Sequence, residues 1–217
     1  MIEGRLAQID AELARRPRLR APEIHEVANG VYRIVRPWAV ADRDRLCEQL
    51  WKRPFGFAIV CYVYRRFNRQ FAKREFRLFE RWLDLYVDNW GATDGLSCWL
   101  LGGCLLNDPS LIPRLDAWTK SKNRWKRRAA AVSLVPLAKR GLNTRDIFRI
   151  AKPLIPDADD MVQKGAGWLL KETYPKKPVE TVRFLMPLRT GAPRLVLRYA
   201  AEKMTQADRA RVLSREL

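Results

Sequence analysis

Apolar residues recur every three or four positions along almost the whole chain, and no run of Val, Ile or Thr alternates with polar residues long enough to mark a strand. The pattern predicts helices at 3–15, 22–35, 41–52, 55–70, 72–88, 91–106, 109–120, 122–140, 143–155, 159–173, 178–188, 193–203 and 205–215. Residues with known start and stop chemistry set the breaks. Ala21-Pro22 opens one helix, Asp108 can cap another with Pro109 in its first position, Gly141 and Asn143 separate two more, and Lys177-Pro178 starts the next.

The intervening loops are short, which makes successive helices antiparallel. Such pairs bury an apolar face only by stacking on the next pair. The expected fold is therefore all-α, a HEAT-like solenoid of about six antiparallel pairs forming one domain over residues 1–217. Exact repetition is weak, so a compact irregular helical bundle stays open as the alternative.

Charge changes the picture most. The chain has 42 Lys+Arg against 24 Asp+Glu, a formal net charge of +18, which points to a polyanionic partner, nucleic acid before an anionic membrane. The excess is segregated. Ala117 to Arg145 holds nine basic residues and no acid, and Gln49 to Arg74 is a second acid-free span. Two such stripes on neighbouring helix pairs are expected to build a concave basic face that follows a phosphate backbone. A membrane-surface role needs a bulky apolar face beside the cations, and the Arg124–Arg128 segment has none. Solvated helix faces are the bland reading of such runs, but those usually mix both signs.

Cysteine and histidine narrow the chemistry. Cys47, Cys61, Cys98 and Cys104 form no CxxC pair and read as small buried hydrophobes in a reducing compartment. His25 stands alone, so neither a His-rich metal site nor an unaided triad is expected. No signal peptide and no apolar run near the ~18 residues of a membrane span is visible, which gives a cytoplasmic expectation.

Three short stretches resist a purely structural account. In NRWKRRAAAV, Asn123 to Val132, helical spacing puts Arg124 and Arg128 on one ridge with Arg127 beside it. Trp125 and Ala129 then turn toward a neighbouring helix, and Ala129 to Ala131 permit close approach. In YVDNWGATDG, Trp90 and Asp94 lie four apart and can share a helix face. In MVQKGAGWLLKE, Gly165 and Gly167 precede Trp168 inside an apolar helix, where each glycine costs about 1 kcal/mol against alanine.

Taken together, the N-W-x-x-x-D of Asn89 to Asp94, the W-x-x-R-A-A of Trp125 to Ala130 and the V-Q-K-x-x-G-W-x-L-x-E of Val162 to Glu172 resemble the AlkD-type DNA alkylation-repair glycosylases, which are HEAT-like repeat proteins. LRAPEI near residue 19 is similar to that family's early helix-pair segment, and the resemblance runs over roughly residues 19 to 205. It implies an aromatic-lined cleft facing DNA, with Trp90 and Trp168 against the lesion nucleotide, Asp94 as the acidic catalytic residue and Arg128 at the backbone. Arg124, Lys126, Arg127 and Lys164 complete the expected DNA-binding set.

The implied reaction is hydrolysis of the N-glycosidic bond of cationic alkylpurines in double-stranded DNA, without a base-flipping pocket, by a monomer needing no metal or cofactor. The chemistry suits the residues. A cationic purine leaves without a strong general acid, a fixed carboxylate stabilises the developing oxocarbenium charge, and indole faces attract cations.

The chain departs from the family pattern at several places. Gly91 stands where Asp usually follows the first Trp, Arg20 where Gln is common and Lys171 where Arg is usual, and the amino-terminal region is shorter. Some branches of the family bind DNA, branched structures included, with little or no excision, so a non-catalytic, structure-specific DNA-binding protein is the alternative reading. A protein-binding helical scaffold would fit the fold but leaves the acid-free spans unexplained.

Overall fold

The computed structural model describes residues 2–15 and 18–214, and among these every regular element is a helix. The α-helices are α1 (Ile2–Ala14), α2 (Ala21–Val35), α3 (Val40–Leu50), α4 (Gly56–Tyr64), α5 (Lys73–Tyr86), α6 (Trp90–Gly95), α7 (Gly102–Asn107), α8 (Leu115–Trp118), α9 (Arg124–Val132), α10 (Val135–Ala138), α11 (Thr144–Leu154), α12 (Asp160–Thr173), α13 (Pro178–Leu185), α14 (Arg194–Ala200) and α15 (Gln206–Leu213). Short 3-10 segments follow α4 (Arg65–Gln70), precede α8 (Pro109–Arg114) and follow α14 (Ala201–Lys203), and a π-helical segment, Leu96–Leu101, joins α6 to α7.

The packing is that of an α-solenoid. One layer runs α2, α4, α6 with its π segment and α7, then α9 with α10, α12 and α14, each touching the next. The remaining helices pack behind it: α1 on α3, α5 on the π segment and α9, α8 on α9, α11 on α12, and α13 on α15. Between the layers lies a continuous core whose largest fully buried side chains include Tyr64, Phe76, Phe79 and Trp82. Tyr64 meets both Phe79 and Trp82 edge-on, at ring-centre distances of 5.5 and 5.1 Å.

Most expected boundaries hold to within a few residues, and the differences have local causes. The helix expected over 122–140 is two, because Pro136 sits in the first turn of α10 and cannot donate to the preceding turn. The one expected over 109–120 opens as a 3-10 segment containing Pro113. The element expected over 91–106 is continuous but changes its hydrogen-bond register to π in the middle. The expected end of the last helix at 215 lies outside the described residues. The sharp turn into α4 depends on Phe55 in the left-handed region (φ 58°) and on Gly56, where a β-carbon would fall 1.7 Å from the Leu50 carbonyl oxygen.

One polar cluster is built into the core away from the cleft. Asp44, 9% exposed, accepts from Tyr64 Oη and from Arg74, while Arg43 lies over the Phe67 ring.

Candidate functional site

The helices that carry the three singled-out stretches each open on an asparagine or aspartate that ties down the first turn. Asn89 Oδ1 accepts from Ala92 N at 2.9 Å at the head of α6, and Asn123 Oδ1 from Trp125 N at 2.9 Å at the head of α9. Asp159 Oδ1 accepts from Met161 N and Val162 N at 2.9 and 3.2 Å at the head of α12. Such caps contribute about 1 kcal/mol each and fix where the first helical residue points. Asn89 is thus the cap of α6, and Asp94, five residues on, is free for another purpose.

That purpose is an ion pair. Asp94 Oδ1 and Oδ2 accept from Arg128 Nε and Nη2, both at 2.9 Å, and Arg128 Nη1 donates to the Met161 carbonyl on α12. Arg128 is 6% exposed, so this clamp is nearly dry. The clamp explains Gly165: a β-carbon there would lie 3.1 Å from Arg128 Cγ and 3.5 Å from its Nη1. Gly167 serves packing, since a β-carbon would fall 2.5 Å from Tyr199 Cβ and 2.9 Å from the Val196 carbonyl of α14. Arg128 therefore connects the helix bearing Trp90 to the helix bearing Trp168.

Asp94, Trp90 and Trp168 all line one open cleft of about 700 Å³ on the face of the α2–α14 layer. Trp90 is 59% exposed at the first position of α6. Trp168 is half-buried, and its Nε1 donates to Glu172 Oε1 at 3.3 Å, one turn along α12. Glu172 Oε2 accepts in turn from Lys203 Nζ at 2.7 Å. Burial alone would raise the Glu172 pKa, but the Lys203 hydrogen bond and charge, the charge of Lys139 and the Trp168 N–H outweigh it, and the carboxyl is held below its usual range.

The cations chosen from the sequence behave differently from expectation. None of Arg124, Lys126, Arg127, Arg128 and Lys164 lines the cleft. Each meets acids supplied by other parts of the chain or by its own turn. Arg124 reaches Asp159 at 2.9 Å and Asp160 at 3.5 Å, and Lys126 reaches Asp84 at 2.8 Å. Arg127 reaches Asp157 at 2.7 Å, and Lys164 reaches Asp160 at 2.8 Å. The acid-free run in sequence is acid-rich in space, and the position read as a backbone contact, Arg128, is the clamp of Asp94. The small residues after it, Ala129 to Ala131, are fully buried and let α9 sit tightly between its neighbours.

The cations that do line the cleft are Arg65, Lys139 and Arg140, one from the Gln49–Arg74 span and two from the Ala117–Arg145 span. All three are exposed, and none forms a salt bridge among the described residues. The cleft also holds Phe57, Tyr62 and Trp99, which the sequence reading did not select. Trp99 lies within the π segment, one turn beyond Gly95, which also lines the cleft.

Cys98, in the same segment, lines the cleft with a thiol pushed up to about 12, chiefly by burial and then by the Asp94 charge, so it is no nucleophile near neutral pH. Among the described residues no group of three or more His, Cys, Asp or Glu side chains is placed to hold a metal ion, and no helix is long and apolar enough to cross a membrane.

Comparison with known proteins gives one family and one fold. A sequence profile of the family described as DNA alkylation repair enzyme matches residues 19–204. A solved structure described as a predicted DNA alkylation repair enzyme from Enterococcus faecalis superposes with a TM-score of 0.78 over 92% of this chain and 94% of that one, at 15% identity, which shows the shared fold. A search among curated proteins gives no match.

Proposed function

Because the chain belongs to the family of DNA alkylation repair enzymes, we propose that it is a DNA glycosylase that hydrolyses the N-glycosidic bond of cationic alkylpurines such as 7-methylguanine and 3-methyladenine in duplex DNA. The observation that carries this reading is the Asp94 carboxylate, clamped by Arg128 and facing a cleft shared with Trp90 and Trp168. An N7- or N3-alkylated purine is already cationic, so its departure needs no strong acid. The bond breaks as positive charge develops on the sugar, and a carboxylate with a fixed direction stabilises that charge without reorganising. Arg128 takes one lone pair on each carboxylate oxygen and leaves the others for the sugar and the attacking water. The Trp90 and Trp168 faces hold the cationic base, each contributing about 0.5–2 kcal/mol according to desolvation. The cleft is open, which suits a lesion engaged from the duplex surface rather than in a base-flipping pocket.

Arg65, Lys139 and Arg140 supply the phosphate contacts in this reading, and the protein acts as a cytoplasmic, nucleoid-associated monomer without metal or cofactor. One observation favours a second reading. The Asp94 charge is already answered by Arg128, which weakens its field at the sugar, and a structure-specific DNA-binding protein without excision has the same surface. Incubating the protein with duplex DNA containing 7-methylguanine and measuring released base decides between them. Release above the uncatalysed rate supports the glycosylase, and tight binding with no release supports the binding protein.

A further inference from the structure

Next to Asp94 the cleft contains a second aromatic station that the proposed excision chemistry does not use. Trp99 is 37% exposed, lines the cleft and lies five residues beyond Asp94, about 7 Å along the element at helical rise. The Tyr62 ring tilts against it at 4.9 Å, and Tyr62 is fixed by the edge contact of His25 at 3.9 Å. The Arg65 guanidinium sits 5.3 Å from the Tyr62 ring centre and 5.1 Å from that of Trp99. Arg65 has no carboxylate partner among the described residues, so its N–H donors are free for an anion.

This indole is partly exposed inside a cleft, packed against Tyr62 and beside an arginine with no carboxylate partner among the described residues. A flat apolar face with an adjacent phosphate-binding fork matches one ligand chemistry: a nucleobase with its own phosphate. The base must be unpaired, because a base within a duplex has both π-faces occupied by its neighbours. We infer that Tyr62, Trp99 and Arg65 form a stacking subsite for an unpaired nucleotide of the DNA, distinct from the Trp90–Asp94–Trp168 station. The inference rests on the reading of the cleft as the DNA-facing surface. It adds that the protein holds DNA in which a base beside or opposite the target has left the helical stack, and so prefers duplexes where one is already free.

The experiment measures affinity for two unmodified duplexes of equal length, one fully paired and one with a single-nucleotide bulge. With no lesion present, the result does not depend on excision. Base–aromatic stacking is strong enough that the wild-type protein is expected to favour the bulged duplex about tenfold, and Trp99→Ala to reduce that preference to about twofold or less. Trp99→Phe, which keeps a π-face, retains most of the preference. Arg65→Ala, an exposed substitution that leaves the ring pair intact, lowers it in part. Melting temperature confirms that each variant is folded, and each preference is read as a ratio to that variant's own paired-duplex affinity. A wild-type protein that binds both duplexes equally, or a Trp99→Ala variant that keeps the full preference, overturns the subsite while leaving the glycosylase reading intact. Failure to bind either duplex overturns the subsite together with the reading of the cleft as the DNA-facing surface.

Discussion

Arg128 donates two hydrogen bonds to Asp94 at 2.9 Å and a third to the backbone of the helix that carries Trp168, and in doing so sets the position of one tryptophan-bearing helix against the other. An arginine that looked from its neighbours like a surface cation is the part of the molecule that assembles the cleft.

If the Asp94 charge stabilises the sugar, Asp94→Asn keeps the shape and one acceptor for Arg128 but removes the charge. Single-turnover release of 7-methylguanine is expected to fall by on the order of 10²–10³, with affinity for DNA near wild type or improved. Asn89 already caps α6, so a capping role cannot account for such a loss. Unchanged release would remove Asp94 from the mechanism.

Arg128→Ala leaves Asp94 without its partner in a nearly dry site and frees the Met161 carbonyl. Breaking a buried pair from one side typically costs about 3–5 kcal/mol, so a loss of that order in chemical denaturation is expected along with loss of excision. Arg128→Lys retains charge but not the fork, and is expected to recover part of the stability and little of the activity. An Arg128→Ala protein as stable as wild type, with only its DNA affinity lowered, would return Arg128 to the role of a phosphate contact.

The two glycines of α12 are expected to part company. Gly167→Ala drives a methyl into Tyr199 and the Val196 carbonyl and should destabilise by about 1–3 kcal/mol despite the better helix propensity. Gly165→Ala gains up to ~1 kcal/mol of propensity and presses only on the Arg128 side chain, so stability changes little while excision falls as the guanidinium shifts. Urea titrations beside release assays check both halves, and equal behaviour of the two variants would contradict the packing described.

Salt dependence separates the cleft cations from the paired ones. Lys139→Ala and Arg140→Ala are each expected to reduce by about one the slope of log affinity against log salt, as lost phosphate contacts do. Arg127→Ala and Lys126→Ala break ion pairs to Asp157 and Asp84 and are expected to lower melting temperature while leaving the slope alone. The reverse assignment would restore the Arg124–Arg128 segment as the binding surface.

Glu172 supplies a pH signature. Its folded-state pKa lies below the ordinary glutamate value of about 4.3, so the folded protein binds this proton less readily than the unfolded chain. The associated stability is complete above that ordinary value and is lost as pH falls through the lowered one. Lys203→Met removes the hydrogen bond and charge that contribute most to holding the carboxyl down. The melting-temperature gap between wild type and variant should therefore be widest near neutrality and close progressively below about pH 4. A gap that does not change with pH would mean that Lys203 contributes by packing alone.

The sequence by itself determined a great deal here, because helix formation is local. The 3.6-residue period and the cap, glycine and proline punctuation lie within a few residues of what they control, and they specify an all-helical, short-looped chain. Through the motifs that resemble the family it also pointed to Trp90, Asp94 and Trp168, and the fold brings all three to one cleft. Charge pairing and cleft lining are not local. Asp157, Asp159 and Asp160 lie thirty or more residues from the arginines they answer, so a run without acids read as bare when it was matched, and only the stacking of α9 against α5, α6 and α12 decided which cations remain free. Trp99 was invisible for a related reason: which face of its element opens on the cleft is set by the packing of α4, α9 and α10 around it, and no local pattern records that.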